Sequence, residues 1–297
     1  NGYDLLALMT GSEGLLGLIT RATLRILPRP ETARAVMAVF DSVQAAGRAV
    51  ADIIAAGMVP AGMEIMDRLA IEAVEDFLGC GYPRGVESLL LVELDGPRAE
   101  VEAQFPRLEG LLEAAGATQM RKSADEAERL QLWAGRKAAF PAMGRITPDY
   151  YCMDGTIPRG RLPEVLSRIQ ELSRLYGLAV ANVFHAGDGN LHPLVLYDGN
   201  QPGQLETAEE LGAEILKLCV AAGGVLTGEH GVGIEKRDLM PCMFGDADLD
   251  AQEHVKAAFD PRHLLNPGKV YPVLRRCAEG RMHVHGGQLS FPGLERF

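Results

Sequence analysis

The residues best equipped for chemistry stand in one run, His185-Ala-Gly-Asp-Gly-Asn-Leu-His192, between apolar Val183-Phe184 and Leu194-Val195-Leu196. Two imidazoles so close in sequence suggest a metal. On a helix, seven residues would hold them about 10.5 Å apart, too far for two nitrogens each about 2 Å from one ion. A hairpin brings them together, because Gly187-Asp188-Gly189-Asn190 is turn chemistry between two strand-like runs. The plainer reading is a glycine-rich hairpin with two surface histidines, since two histidines leave an ion short of a ligand. A third ligand is offered by Gly228-Glu229-His230-Gly231, just after a short strand predicted around Val225. Adjacent side chains point in different directions, so one of Glu229 and His230 can bind the ion while the other faces a substrate. Two histidines and a carboxylate, with positions left open, suit a catalytic divalent ion better than a closed structural site. The alternative is that Glu229 and His230 merely cap the following helix.

Trp133-Ala-Gly-Arg136-Lys137 sets an arginine three residues after the single tryptophan, on the same helical face. A guanidinium is suited to bidentate binding of a carboxylate, which an organic acid requires; for Lys137 a solvated helix charge is the better reading. Thr10-Gly11-Ser12-Glu13-Gly14 and Leu265-Asn266-Pro267-Gly268-Lys269 are tight turns where backbone can approach a ligand. The spacing of Gly11, Gly14 and Gly17 does not match GxGxxG, so a nicotinamide site of the Rossmann kind is unsupported.

The elements that must position these residues follow from apolar periodicity. An apolar, glycine-cut stretch leads to alternation over Thr23–Leu27, a predicted strand closed by Pro28 and Pro30. Then come strand Ala33–Phe40, helix Val43–Ala56, strands Gly62–Met66 and Glu87–Leu94, helix Ala99–Ala115 and short strand Thr118–Arg121, with an extra helix near Leu69–Leu78. After a helical, charged stretch at Ala124–Ala139 the order repeats: strand Tyr150–Ile157, helix Leu162–Tyr176, strands Ala179–Phe184 and His192–Tyr197, helix Glu206–Ala222, and the strand around Val225. The expectation is an α+β fold in which two ferredoxin-like β-α-β-β-α-β units build one largely antiparallel sheet with helices on one face. A last helix at Asp248–Phe259 precedes the Asn-Pro-Gly segment and a polar tail.

The 297 residues are 47% hydrophobic and carry 40 acidic against 29 basic side chains, a formal charge of −11. The acidic balance and the lack of a Lys/Arg block disfavour a nucleic-acid partner, which needs a concentrated positive field. No apolar run approaches the roughly 20 residues of a transmembrane helix, so no membrane span and a cytoplasmic setting are expected. Five dispersed cysteines, with no CxxC pair, read as reduced thiols. The chain opens at Asn1 and runs at once into apolar sequence, which suggests a piece of a longer protein.

Taken together, these residues resemble the FAD-linked oxidases of the vanillyl-alcohol-oxidase type, in the D-2-hydroxyacid dehydrogenase branch. HAGDGNLHP, GEHGVGIEK and FDPRHLLNPGK are similar to its three later signatures, in the right order. The run from Leu132 to Arg159 and the tail from Arg276 to Phe297 are closer still to the FAD-linked subunits of glycolate oxidases. The resemblance implies FAD lying between an N-terminal flavin domain and this chain. It also implies roles: His185, His192 and Glu229 as ligands of a divalent ion (zinc, manganese or iron), His230 as the base, and Arg136 as the carboxylate anchor. Gly11, Ser12, Glu13, Gly14 and Asn266 would lie beside the flavin. It divides the chain into a flavin-domain remnant (1–30), a substrate-binding cap (31–245) and a C-terminal segment (246–297). The implied partners are a small 2-hydroxyacid and, in a complex, a second flavin-type subunit and an iron–sulfur subunit, which could bring the protein to the inner membrane. Relatives handling longer diacids carry lysine where Cys152 falls and asparagine where Leu194 falls, so a small acid such as glycolate or D-lactate is expected. The chain alone should hold FAD poorly. Two other readings stay open: a metal-dependent hydrolase using the same His/His/Glu set, and a domain that only binds partner subunits, suggested by the tail with His283 and His285.

Overall fold

The structure is a computed structural model that describes residues 2–272, so His283, His285 and Cys277 of the tail lie outside the described residues. A short helix α1 (Leu5–Met9) is followed by β1 (Thr32–Phe40), α2 (Val43–Ala55), β2 (Gly62–Asp67), α3 (Arg68–Leu78), β3 (Ser88–Gly96), α4 (Arg98–Ala114) and β4 (Gln119–Lys122). Then come α5 (Glu126–Lys137), α6 (Ala139–Ala142), β5 (Asp149–Cys152), α7 (Leu162–Tyr176), β6 (Val180–His185), β7 (Asn190–Tyr197), α8 (Gln204–Ala221) and α9 (Asp246–Phe259). Local chemistry marks the ends. Ser42 and Asp67 accept from the third backbone N–H beyond them to start α2 and α3, while Gly79 (φ +62°) and Gly177 (φ +70°) end α3 and α7 in the left-handed conformation glycine tolerates.

The seven strands form one sheet in the order β4-β1-β3-β2-β6-β7-β5, and every pairing in it is antiparallel. The first unit has the 4-1-3-2 order of a ferredoxin-like repeat. The second mirrors it from β6 outward, and the two join at a seam where β2 pairs with β6 in the register Glu64↔His185. The strand predicted around Val225 is reduced to a single bridge with Thr156, so the second repeat has three strands rather than four. β5 ends at Cys152; beyond it Met153 N and the Gly155 carbonyl keep single bonds to β7, and Thr156 bridges Asn190 and Val225.

The helices of the two repeats, α2, α4, α7 and α8, share one face and bury the larger core around Phe40, Ile53, Phe105, Ile169 and Ile215. That matches the expected arrangement. The opposite face is covered as well, by α3, α5 and α6 over Met66, Leu89, Leu91, Val183 and Leu194. Residues 18–30 form no strand, and Leu18, Leu24, Ile26 and Leu27 are each about four-fifths exposed or more. The alternation there lacks a neighbouring strand to complete its ladder among the described residues. Among those residues the four cysteines are free thiols, and no helix is long and apolar enough to cross a membrane.

Candidate metal centre

The smaller-core face of the sheet ends in polar side chains. β6 and β7 are joined by the predicted hairpin, held by Gly189 at φ +75°, where a Cβ would lie 2.2 Å from the Ile157 carbonyl oxygen. This turn puts the His185 and His192 rings edge to face, centroids 5.0 Å apart. Residues opposite or two apart in an antiparallel sheet share a face, so Glu64 of β2 stands beside His185. Its Oε1 is 2.7 Å from His185 Nδ1, and its Oε2 accepts from Arg136 Nε at 2.9 Å. A proton on His185 Nδ1, donated to Glu64, leaves the Nε2 lone pair free. The Glu64 contact raises the His185 pKa above its ordinary value. His192 is all but buried; its Nδ1 lies 3.2 Å from the Met153 carbonyl oxygen, again leaving Nε2 to face the site, and burial lowers its pKa.

Glu229 arrives from the loop after the Val225 bridge. Its Oε1 lies 3.0 Å from His192 Nε2, 3.7 Å from His185 Nε2 and 3.9 Å from His230 Nε2. Two ligands each about 2.1 Å from one ion are themselves about 3.0–3.5 Å apart. The His192–Glu229 pair already has this spacing, and His185 is a few tenths of an ångström outside it from Glu229; both imidazoles have the Nδ1 acceptors that orient metal-bound histidines. The His230 ring stacks on His192 (centroids 5.2 Å, 21° between planes) and is half-exposed. Its Nε2 stands about as far from Glu229 Oε1 as that of His185, and ligand-type atoms of Asp154, His192, Glu229 and His230 all lie within 4.8 Å of one another, a set that does not include His185. Arg136 is buried against Glu64, and its Nη2 has no hydrogen-bond partner among the described residues.

Three contributors escaped the sequence reading. Glu64 stands between apolar residues in β2, whose other acid, Asp67, caps α3, and Lys236 is fully buried. Asp154, fully buried too, has one ligand-type atom within 4.8 Å of those of His192, Glu229 and His230. Its carboxylate is already engaged: it accepts from the Thr227 hydroxyl (2.5 Å), from the backbone N–H groups of Gly228 (3.1 Å), Glu229 (3.1 Å) and His230 (2.8 Å), and from Lys236 Nζ (3.1 Å). Burial pulls the Asp154 pKa upward, but these donors and the ammonium outweigh it and hold the group well below the carboxylate range. A lone acid inside an apolar stretch is the signal that could have flagged both Glu64 and Asp154.

The predicted flavin-side residues gather at a second joint. Glu13 (φ +51°) turns its carboxylate to the N–H groups of Val232 and Gly233, both at 2.8 Å, while Asn266 (φ +42°) donates to the Glu13 carbonyl. A Cβ on Gly14 would sit 2.8 Å from Asn266 Nδ2. Glu13, Gly14 and Asn266 therefore hold one another and the loop behind His230. Gly11 and Ser12 line a cavity of about 240 Å3, and Asn266 lines one of about 650 Å3 beside α9.

The profile of the family described as "FAD linked oxidases, C-terminal domain" matches residues 29–270. The chain belongs to this family. As an FAD-linked oxidase C-terminal domain it is 58% identical over all 297 residues to "Glycolate oxidase subunit GlcD" of Escherichia coli, and 36% identical over 270 residues to the Bacillus subtilis protein of the same name. It is also 32% identical over 274 residues to a D-lactate dehydrogenase of Archaeoglobus fulgidus. These alignments take in 100%, 91% and 91% of this chain but 60%, 57% and 58% of the relatives, so the chain spans about three-fifths of their length. Among solved structures, 4-ethylphenol oxidase from Gulosibacter chungangensis superposes with a TM-score of 0.64 at 15% identity, over 84% of this chain and 56% of that one. A substrate-bound p-cresol methylhydroxylase gives 0.64 at 13%, over 82% and 53%. The two structures share the fold of this C-terminal domain. Neither the hydrolase nor the partner-only reading finds support.

Proposed function

We propose that this chain is the substrate- and metal-binding part of a flavin-dependent 2-hydroxyacid dehydrogenase that oxidises glycolate or D-lactate to the 2-oxoacid. The observation that carries it is the convergence of two Nε2 lone pairs and the Glu229 carboxylate, each histidine pre-oriented through Nδ1, beside an uncommitted third imidazole. The names and identities of the relatives support the same reading. His185, His192 and Glu229 would hold a divalent ion of the zinc, manganese or iron type. FAD would supply a two-electron acceptor, and the ion would supply Lewis acidity at the substrate carboxylate and α-hydroxyl.

This chain's own residues account for the rest. His230, stacked on His192 and half-open to solvent, is placed to take the α-hydroxyl proton at its Nε2. Arg136 Nη2 is the donor left over for the substrate carboxylate, since a buried guanidinium N–H without an acceptor is unfavourable by about 1–3 kcal/mol. Cys152 faces Leu194 in the β5–β7 register and stands 3.9 Å from His192, so this side of the site offers a thiol and an aliphatic wall to any longer chain. Residues 1–30 would complete a flavin domain, 31–245 would cap it, and 246–297 would face the flavin. The relatives' description as a subunit supports assembly into a complex; a second flavin-type subunit and an iron–sulfur subunit, at the inner membrane or in the cytoplasm, would be its other members.

The test is a turnover assay of the full-length flavoprotein with glycolate, D-lactate and D-2-hydroxyglutarate, before and after chelation. Loss of activity on chelation, its return with a divalent ion, and a higher kcat/KM for the two small acids are expected. A higher kcat/KM for the diacid, or full activity without an ion, would contradict the proposal.

A further inference from the structure

The loop Thr227–Gly231 carries both a ligand and the base, yet it has no helix or strand to hold it. Backbone groups without regular partners must find others, and here Asp154 supplies most of them, its backbone carbonyl accepting from Gly228 N at 2.7 Å and its side chain from the N–H groups that follow. Both oxygens of Asp154 are spent on the N–H groups of Gly228, Glu229 and His230, on the Thr227 hydroxyl and on Lys236 Nζ. Thr227 Oγ1 in turn accepts from Gly231 N at 2.8 Å and from Lys236 Nζ at 3.4 Å. The loop packs closely on its neighbours, and only glycine fits at 228: a Cβ there would lie 2.5 Å from Thr156 Oγ1 and 2.6 Å from Asn190 Oδ1.

We propose that Asp154, charge-balanced by buried Lys236, is a positioning residue that shapes this loop so that Glu229 reaches the ion and His230 stays out of its coordination sphere. The proposal rests on the metal reading above. Asp154 lies close enough to the cluster to be mistaken for a ligand, but a carboxylate already accepting from three backbone N–H groups, a hydroxyl and an ammonium has little capacity left for a cation. Its interruption of β5 is the structural counterpart of the same role: the strand stops where Asp154 turns to meet the loop.

Asp154→Asn alone would strand the Lys236 charge, so the informative protein is Asp154→Asn with Lys236→Met. Glu229→Gln serves as the ligand control. On the full chain, manganese(II) binding is measured by titration calorimetry and backbone amide exchange is read at residues 228–231. In the double variant the loop amides should exchange at least about tenfold faster while the sheet keeps its protection, and manganese(II) affinity should fall about 10–100-fold, the usual effect of losing an outer-shell partner. Saturating manganese(II) should restore part of the loop's protection and leave the sheet's unchanged, whereas under a purely global destabilisation both would rise together. Glu229→Gln should lose affinity with loop exchange unchanged. If the double variant does not fold, Thr227→Val removes one link of the same set and should accelerate exchange at Gly231 with a smaller loss of affinity. Unchanged loop exchange in these variants overturns the proposal. So does lost manganese(II) binding with a fully protected loop, which would make Asp154 a ligand. A wild-type chain that takes up no manganese(II) would sink the metal reading, while the exchange rates would still decide the role of Asp154.

Discussion

At the scale of single residues, the proposed division of work between His230 and its neighbour Glu229 rests on consecutive side chains leaving the backbone in different directions. His230→Asn in the full-length flavoprotein should keep its metal and its substrate affinity but slow flavin reduction about 10²–10⁴-fold, the share of a positioned base; anaerobic single-turnover kinetics with metal measured on the same sample checks this. Glu64 reads differently. Its carboxylate holds His185 by one oxygen and Arg136 by the other, so Glu64→Gln should cost metal affinity by about 10–100-fold without removing a ligand, visible as a weaker manganese(II) isotherm. Both histidines, Glu229, His230 and Arg136 were legible in the sequence because their residue types and short spacings carry the signal. Glu64, Asp154 and Lys236 were not, since each acts on a partner tens of residues away and looks like an ordinary charge until the chain is folded.

At the scale of elements, the hairpin was legible because turn residues and alternation are local. Gly189→Ala tests it: a left-handed φ and a 2.2 Å approach to a carbonyl leave no room for a methyl. A loss of at least about 2 kcal/mol in chemical denaturation, together with weaker metal binding, is the expected outcome. The strand predicted at Thr23–Leu27 and the one at Val225 show the reverse case, where periodicity was present but no full ladder received it. Asp67 ties two elements together, capping α3 through Ala70 N and accepting from Asn182 N and Nδ2 of β6. Burial raises its pKa to about 6 from an ordinary 3.8, against the opposing pull of these hydrogen bonds. The native state thus holds this proton more tightly than the unfolded chain. Its contribution is fully present below about pH 4 and is lost as pH rises through about 6. Relative to Asp67→Asn, which cannot titrate there, the wild type should lose on the order of 3 kcal/mol between pH 4 and pH 7. Denaturation of both metal-free proteins at several pH values measures the difference, and a gap independent of pH would contradict it.

At the scale of the whole molecule, the two repeats were legible as a pattern, but their joining was not, because nothing in the periodicity says which strand edge meets which. The seam between β2 and β6 decides where the site lies. Glu64 and Arg136 precede it and His185, His192 and Glu229 follow it, with Glu64 and His185 separated by 121 positions in the chain. Contacts between residues so far apart are entropically expensive to close and tend to form late. Trp133 lies against Gly62 and bonds to Glu93, both in the first repeat, and reports chiefly on that repeat. On refolding from denaturant, its fluorescence should reach the native value before manganese(II)-binding capacity returns, and simultaneous recovery would count against a late seam. Tight uptake of the ion would then act as a certificate of completed folding: a chain whose second repeat had formed without the first would bring its ligands together but, lacking Glu64 behind His185, would hold a metal only loosely.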